Sequence, residues 1–195
     1  DQYIVDRLFD NRVSDKTYSV NNSKNYCRYV PYSLKKITIK DGTRIPSHAF
    51  DGFKGVTEFV LPDTITNIGD YAFHNCESIT SNPTPSTVKV IGSHAFDGFK
   101  SLKTFTVPSS VQTIGSYAFA NCTGFTSITI SKTICELGNY DFGNCTSLKN
   151  AEIEPVGKIG KYVFDQCISL EEITLPYAGE SLGSVNKEGS DQYIV

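Results

Sequence analysis

This chain of 195 residues contains no methionine, and that absence predicts a processed or excised piece whose native compartment must be inferred by other means. It has no apolar stretch approaching the ~20 residues of a membrane span. It has no run of Lys or Arg either. With 18 basic and 21 acidic residues interspersed and a net charge of −3, it lacks the electrostatic footprint of a nucleic-acid partner. The motifs CxxC, HExxH, GxSxG and GK[ST] do not occur, nor does the calcium-loop signature. Catalysis and cofactor binding are therefore not expected. With only three histidines, an imidazole-rich metal site has little to draw on.

What the chain does contain is repetition. Phe50, Phe73, Phe96, Phe119, Phe142 and Phe164 are spaced 23, 23, 23, 23 and 22 residues apart. A period of ~20–29 residues is the mark of a leucine-rich-repeat-like solenoid, in which each repeat is one coil of backbone. Other columns follow in phase. Three residues after each Phe stand Phe53, Cys76, Phe99, Cys122, Cys145 and Cys167, and six after stand Val56, Ile79, Leu102, Phe125, Leu148 and Leu170. Five before stand Ile45, Ile68, Ile91, Ile114, Leu137 and Ile159, followed in all but the first coil by Gly69, Gly92, Gly115, Gly138 and Gly160.

The spacing predicts the conformation within a coil. Intervals of three suit a helical or 3-10 turn. The alternation in stretches such as 102–107 suits a short strand with one face buried, and Pro62, Pro108 and Pro176 close such strands. The recurrent glycine marks a backbone position that a Cβ would crowd. One coil cannot bury its apolar side alone, but stacked coils turn the columns into continuous ladders. At ~25 cal/mol per Å² and ~150 Å² per ring, the Phe column outweighs any surface ion pair at ~0–1 kcal/mol.

Six cysteines raise the question of a disulfide framework. Four of them (Cys76, Cys122, Cys145, Cys167) share a column with Phe53 and Phe99, which calls for an apolar filler, and parallel ladder neighbours are poorly placed for the ~90° disulfide torsion. They are read as free thiols; Cys27 and Cys135 lie outside the column and stay open. Residues 1–33 read as an N-terminal cap with a hairpin around the polar turn Asn21–Asn25. Residues 34–176 form a solenoid of about six coils, and residues 177–195 are a tail. The pentapeptide Asp1–Val5 recurs as Asp191–Val195, an origin that the residues leave open. The coil at 76–96 breaks the pattern. Its Ser81-Asn-Pro-Thr-Pro85 puts Asn82 and Thr84 in the buried phases and Pro83 inside the sheet, which reads as a local sheet break or as a notch that admits a partner.

His48 and His94 fall at one repeat position two coils apart, about 10 Å at ~4.8 Å per strand, too far to share a zinc ion. What remains for function is the outward face of the strand ladder. The residues expected there are Lys103, Thr104, Thr106, Thr126, Ser127, Thr129, Lys149, Asn150, Glu152, Glu172 and Thr174. They would array in rows as a flat hydrogen-bonding surface, with no aromatic run to mark a hot spot.

The unit Val111-Gln-Thr-Ile-Gly-Ser-Tyr-Ala-Phe-Ala-Asn-Cys-Thr-Gly-Phe-Thr-Ser-Ile-Thr-Ile130 resembles the BspA-type leucine-rich repeat, roughly VxxIGxxAFxxCxxLxxIxIP. The likeness covers about residues 34–176, with departures at Asp141 and Val163 (Ala position) and at Ser131 and Glu154 (Pro position). It implies a right-handed solenoid with a parallel sheet and an N-terminal hairpin. It also implies an extracellular or cell-surface location in host-associated microbes, and adhesion to a protein or glycan of a host or neighbouring cell, with no catalytic residues. The alternative is a structural spacer within a larger modular surface protein.

Overall fold

The computed structural model describes residues 17–21, 27–130, 134, 136–154 and 158–175, with side chains from residue 30 onward. The expected tail 177–195, the repeated end peptides, Cys135 and the hairpin turn 22–26 lie outside the described residues. So does the side chain of Cys27.

The hairpin strands are present. β1 (Thr17–Asn21) pairs antiparallel with β2 (Cys27–Pro31), from Thr17↔Pro31 to Asn21↔Cys27. Val30 of β2 is fully buried in the core. Beyond it the chain coils. One side of every coil but that at 76–96 carries a front strand: β3 (Lys36–Thr38), β5 (Glu58–Val60), β8 (Thr104–Thr106), β10 (Ser127–Ile130), β12 (Asn150–Ile153) and β14 (Glu172–Thr174). A second side carries two-residue strands: β4 (Arg44–Ile45), β6 (Asn67–Ile68), β7 (Val90–Ile91), β9 (Thr113–Ile114), β11 (Glu136–Leu137) and β13 (Lys158–Ile159). The second sheet is continuous over all six strands, whereas the front sheet is split into β3-β5 and β8-β10-β12-β14. All solenoid pairings are parallel and join equivalent positions, such as Ile68↔Ile91 and Ile91↔Ile114.

The third side was expected to be a helical or 3-10 turn, and that expectation needs correction. No helix occurs among the described residues. The reason lies in where the amides point. A helix would return every N–H to its own chain segment. Here they alternate. Ala49, Asp51 and Phe53 donate back to Pro46, His48 and Phe50, while His48, Phe50 and Gly52 donate across to Asp70, Ala72 and His74 of the next coil. The alternation repeats with Ala72, His74 and Cys76 against Tyr71, Phe73 and Asn75. The turn is thus a third ladder between coils, bent by a left-handed residue at the same place each time: His48, Tyr71, His94, Tyr117, Tyr140 and Tyr162, with φ between 54° and 61°.

The core is the predicted set of columns. The Phe rings stack in one unbroken spine from Phe50 to Phe164, with centroids 5.5, 5.5, 5.4, 5.3 and 5.7 Å apart and interplanar angles of at most 19°. Cys76, Cys122, Cys145 and Cys167 are buried free thiols. They do more than fill space, because each Sγ–H donates to a phenylalanine carbonyl of the preceding coil, at 3.2 Å to Phe50, 3.2 Å to Phe96, 3.3 Å to Phe119 and 3.1 Å to Phe142. Burial raises the Cys76 thiol well above its ordinary value. The in-phase glycines sit where coils touch. A Cβ on Gly69 or Gly115 would lie 2.6 Å from a backbone nitrogen of the neighbouring coil.

The coil at 76–96 is the sheet break that its prolines foretold, with one correction. Asn82 and Thr84 were expected inside, but Asn82 is exposed and it is Pro83 and Pro85 that are buried. The chain has slipped by one residue, which exchanges the two faces of an extended segment.

Candidate functional site

Strand register sets the outward face. Thr104, Ser127, Asn150 and Glu172 are direct neighbours across β8, β10, β12 and β14, and so are Thr106, Thr129, Glu152 and Thr174. Lys103, Thr126 and Lys149 continue the same alignment one step before the strands, where Thr126 N–H donates to Lys103 C=O and Lys149 N–H to Thr126 C=O. None of these eleven side chains is buried. The structure therefore brings the whole predicted set together on one side, while Phe105, Ile128, Ala151 and Ile173 turn inward between them. Two ion pairs link neighbouring coils on this side. Lys149 Nζ lies 2.7 Å from Glu171 Oε1, and Lys36 Nζ lies 2.8 Å from Glu58 Oε1. The rest of the face is hydroxyls, the Asn150 amide and the charges of Lys103, Glu152 and Glu172 at strand spacing.

At the break, the ladder on the β8 side is completed by a side chain. Thr84 N–H donates to Asn82 Oδ1 at 2.9 Å, and Asn82 Nδ2 donates to the Thr106 carbonyl at 3.0 Å. The carboxamide stands in for a peptide unit. On the other side, between β5 and residues 81–85, a cavity of about 300 Å³ remains.

An aromatic run does exist, on the turn side of the coils and not on the strand face. The six left-handed turn residues point their rings outward and stack, His48–Tyr71–His94–Tyr117–Tyr140–Tyr162, at 4.8, 4.5, 4.8, 4.9 and 5.0 Å. Tyr117 and Tyr162 are 37% and 46% exposed. The column stands in phase two residues before each Phe, but its mixture of two His with four Tyr masks it as a single-residue repeat. Carboxylates brace it. Asp51 accepts from or caps both His48 Nδ1 (3.2 Å) and His74 Nδ1 (2.8 Å), and Asp97 faces His94 Nδ1 at 2.8 Å while accepting from Asn121 Nδ2 at 2.8 Å. For His74, burial works against the charged ring, but the Asp51 hydrogen bond and the charges of Asp51 and Asp97 outweigh it and raise its pKa above the ordinary 6.5. Among the described residues no group of three or more His, Cys, Asp or Glu is arranged to hold a metal ion.

The repeat geometry agrees with what the sequence pattern matches. Residues 21–110 and 67–186 fit the pattern of the BspA type leucine rich repeat region, in six copies. The chain belongs to the BspA-type leucine-rich repeat family. Among solved structures, it is similar to a leucine-rich repeat protein from Bacteroides ovatus at 26% identity, covering 86% of this chain and 54% of that one, with a TM-score of 0.61. It also shares its fold with the T. pallidum leucine rich repeat protein (20% identity, 83% and 91% covered, TM-score 0.55) and with a leucine-rich repeat protein from Eubacterium ventriosum (20%, 84% and 41%, 0.53). The chain spans about half the length of the Bacteroides ovatus protein. No curated protein matches it.

Against the BspA-type pattern, two departures now have a physical account. Asp141, at the Ala position, is fully buried, and its carboxyl accepts the Gly138 N–H at 2.7 Å and the Ala118 N–H at 3.4 Å. Burial nonetheless pushes that carboxyl well above the usual carboxylate range. Val163 fills the same position in the last coil and is buried, so the site accepts a branched apolar residue. Among the described residues, no helix is long and apolar enough to cross a membrane.

Proposed function

We propose that this BspA-type module is a non-catalytic binding or adhesion unit of a cell surface. It would contact a protein or glycan of a host or neighbouring cell through the strand face. The observation that carries this reading is the register. Eleven polar residues from four coils lie in rows on one side, with none buried. A rigid array of hydroxyls, an amide and charges offers many directional hydrogen bonds at little cost in ordering. The antiparallel hairpin before the coils supports a cap for the first coil, since Val30 of β2 lies in the same core as Ile45 and Phe50.

The test is an array of matrix proteins and glycans probed with the chain and with Thr106→Lys/Thr129→Lys. These two residues are direct neighbours in the register and are not buried, so the pair disturbs the face and not the core. The expected result is retention of the chain by at least one matrix protein or glycan, with a loss of at least about tenfold in the double variant. Undiminished binding by the variant would exclude this face. The other reading, a structural spacer, is favoured by the stacking itself: the second sheet runs unbroken through all six coils and the turns add a further ladder between them. That reading predicts silence across the whole array.

A further inference from the structure

The break in the front sheet leaves a strand edge uncovered. β5 pairs with β3 on one side only. Glu58 N–H donates to Lys35 C=O, and Val60 C=O accepts from Ile39 N–H, so residues 58 and 60 spend their main chain on β3. The intervening Phe59 turns its N–H and C=O the other way, as alternate residues of a strand do. In an unbroken coil these groups would meet the next front strand. Here the next coil touches β5 only at its start, where Thr80 N–H reaches Thr57 C=O. Among the described residues, no hydrogen bond runs from residues 81–85 to β5.

The coil cannot close the gap itself. Pro83 and Pro85 have no N–H to give, and Asn82 is engaged with Thr106 on the far side. The cavity of about 300 Å³ lies between β5 with Leu61 on one wall and residues 81–85 on the other. Two further features face the same place. Val60 is 37% exposed, an aliphatic side chain on the rim. Thr84 lines the cavity, and its Oγ1 is the one buried side-chain oxygen or nitrogen without a partner among the described residues.

We propose that this cavity takes an extended peptide segment of a protein partner, whose main chain pairs with the free edge of β5 at Phe59 and whose aliphatic side chain lies over Val60. The inference rests on the reading of the strand face as the contact side and names what enters it. The occupant follows from hydrogen-bond complementarity. A strand edge presents a donor and an acceptor at the spacing of a peptide main chain, and another extended main chain returns them in that order over successive residues. The volume is at the small end of ligand pockets, which suits part of an extended chain and not a folded element. Glu58, the charge on the rim, is already paired with Lys36, so the site asks for no charge in return.

The test is solution NMR of the whole chain titrated with the capped peptide acetyl-Thr-Val-Thr-Val-Thr-amide. The expected result is saturable shifts of the Phe59 and Leu61 amides and slowed exchange of the Phe59 amide. N-methylation of the peptide at its central residue should weaken binding at least about tenfold, because the pairing is through the main chain. Ser81→Trp fills the cavity from an exposed rim position and should abolish the shifts; Val60→Lys, also at an exposed site, should weaken binding and serves if Ser81→Trp fails to fold. Shifts absent from these amides, indifferent to both variants, or equal with the N-methylated peptide would overturn the proposal. So would the same shifts produced by a glycan while the peptide stays silent. Failure of the wider strand-face reading shows separately, on the array, with the peptide titration unaffected.

Discussion

Single residues in this chain work by being repeated, and the exceptions show what each position demands. The turn position three before each Phe holds Asp70, Ser116 and Asn139, whose side-chain oxygens accept the backbone N–H of Ser93, Asn139 and Lys161 in the following coil. Asp141 is the costly exception. Burial raises the pKa of its carboxyl and so favours the neutral form over the charged one. The direction of the consequence follows from linkage. The unfolded group titrates near ~3.9, so the stability that Asp141 contributes is fully present below that pH and is lost as pH rises through the folded value. Asp141→Asn keeps the shape and an acceptor for the Gly138 N–H but cannot ionise. In urea unfolding at a series of pH values, the native chain should lose stability relative to Asp141→Asn as pH rises from ~4, until the carboxyl has ionised. Parallel curves for the two proteins would show that the carboxyl is solvated and unshifted.

The turn is the element that the sequence conceals. Phe, Cys and Leu at intervals of three fit a helix as well as they fit this ladder, because either places the three on one side. What separates them is the backbone between, where His48, Tyr71 and their successors adopt φ near +55°. Nothing in a His or Tyr announces that conformation, and glycine takes none of these six places. A second left-handed position follows at Gly52, Asn75, Gly98, Asn121, Asn144 and Gln166, and here the Gly/Asn preference was visible in the chain. Gln166 is its outlier, exposed and at φ 58°. A non-Gly residue there costs ~1–2 kcal/mol, partly offset by the ~0.5–1 kcal/mol of extra chain entropy that glycine brings. Gln166→Gly should therefore stabilise the last coil by about 0.5–1 kcal/mol, read as a higher urea midpoint with an unchanged slope. A lower midpoint would mean that the side chain earns more from contacts than the backbone loses. The front strands, by contrast, were legible residue by residue, since Phe105, Ile128, Ala151 and Ile173 alternate with polar neighbours in a period that only a half-buried strand has. The broken coil was legible as a fault but not in its phase. Asn82 for Phe and Thr84 for Leu signalled that the pattern fails, whereas the inward turn of Pro83 and Pro85 depends on Asn82 reaching Thr106, a contact between coils.

At the scale of the whole molecule, stability is distributed along one axis, because each coil touches only its neighbours. The Phe spine makes this concrete. Phe96 stacks on both Phe73 and Phe119 and packs edgewise on Phe99, and it is fully buried. Phe164, at the end of the described spine, stacks on Phe142 alone and is 8% exposed. Truncating Phe to Ala in a well-packed core costs ~3–5 kcal/mol. Phe96→Ala should fall in that range and weaken the coupling between the coils on either side of it, so that unfolding of the two halves separates in denaturant. Phe164→Ala should cost less and act locally, with amide exchange accelerated in the last coil and unchanged around Phe73. The comparison tests the axis itself. If Phe164→Ala destabilised the first coil as much as the last, the chain would unfold as one globular unit, and an array whose ends behave independently would not describe it.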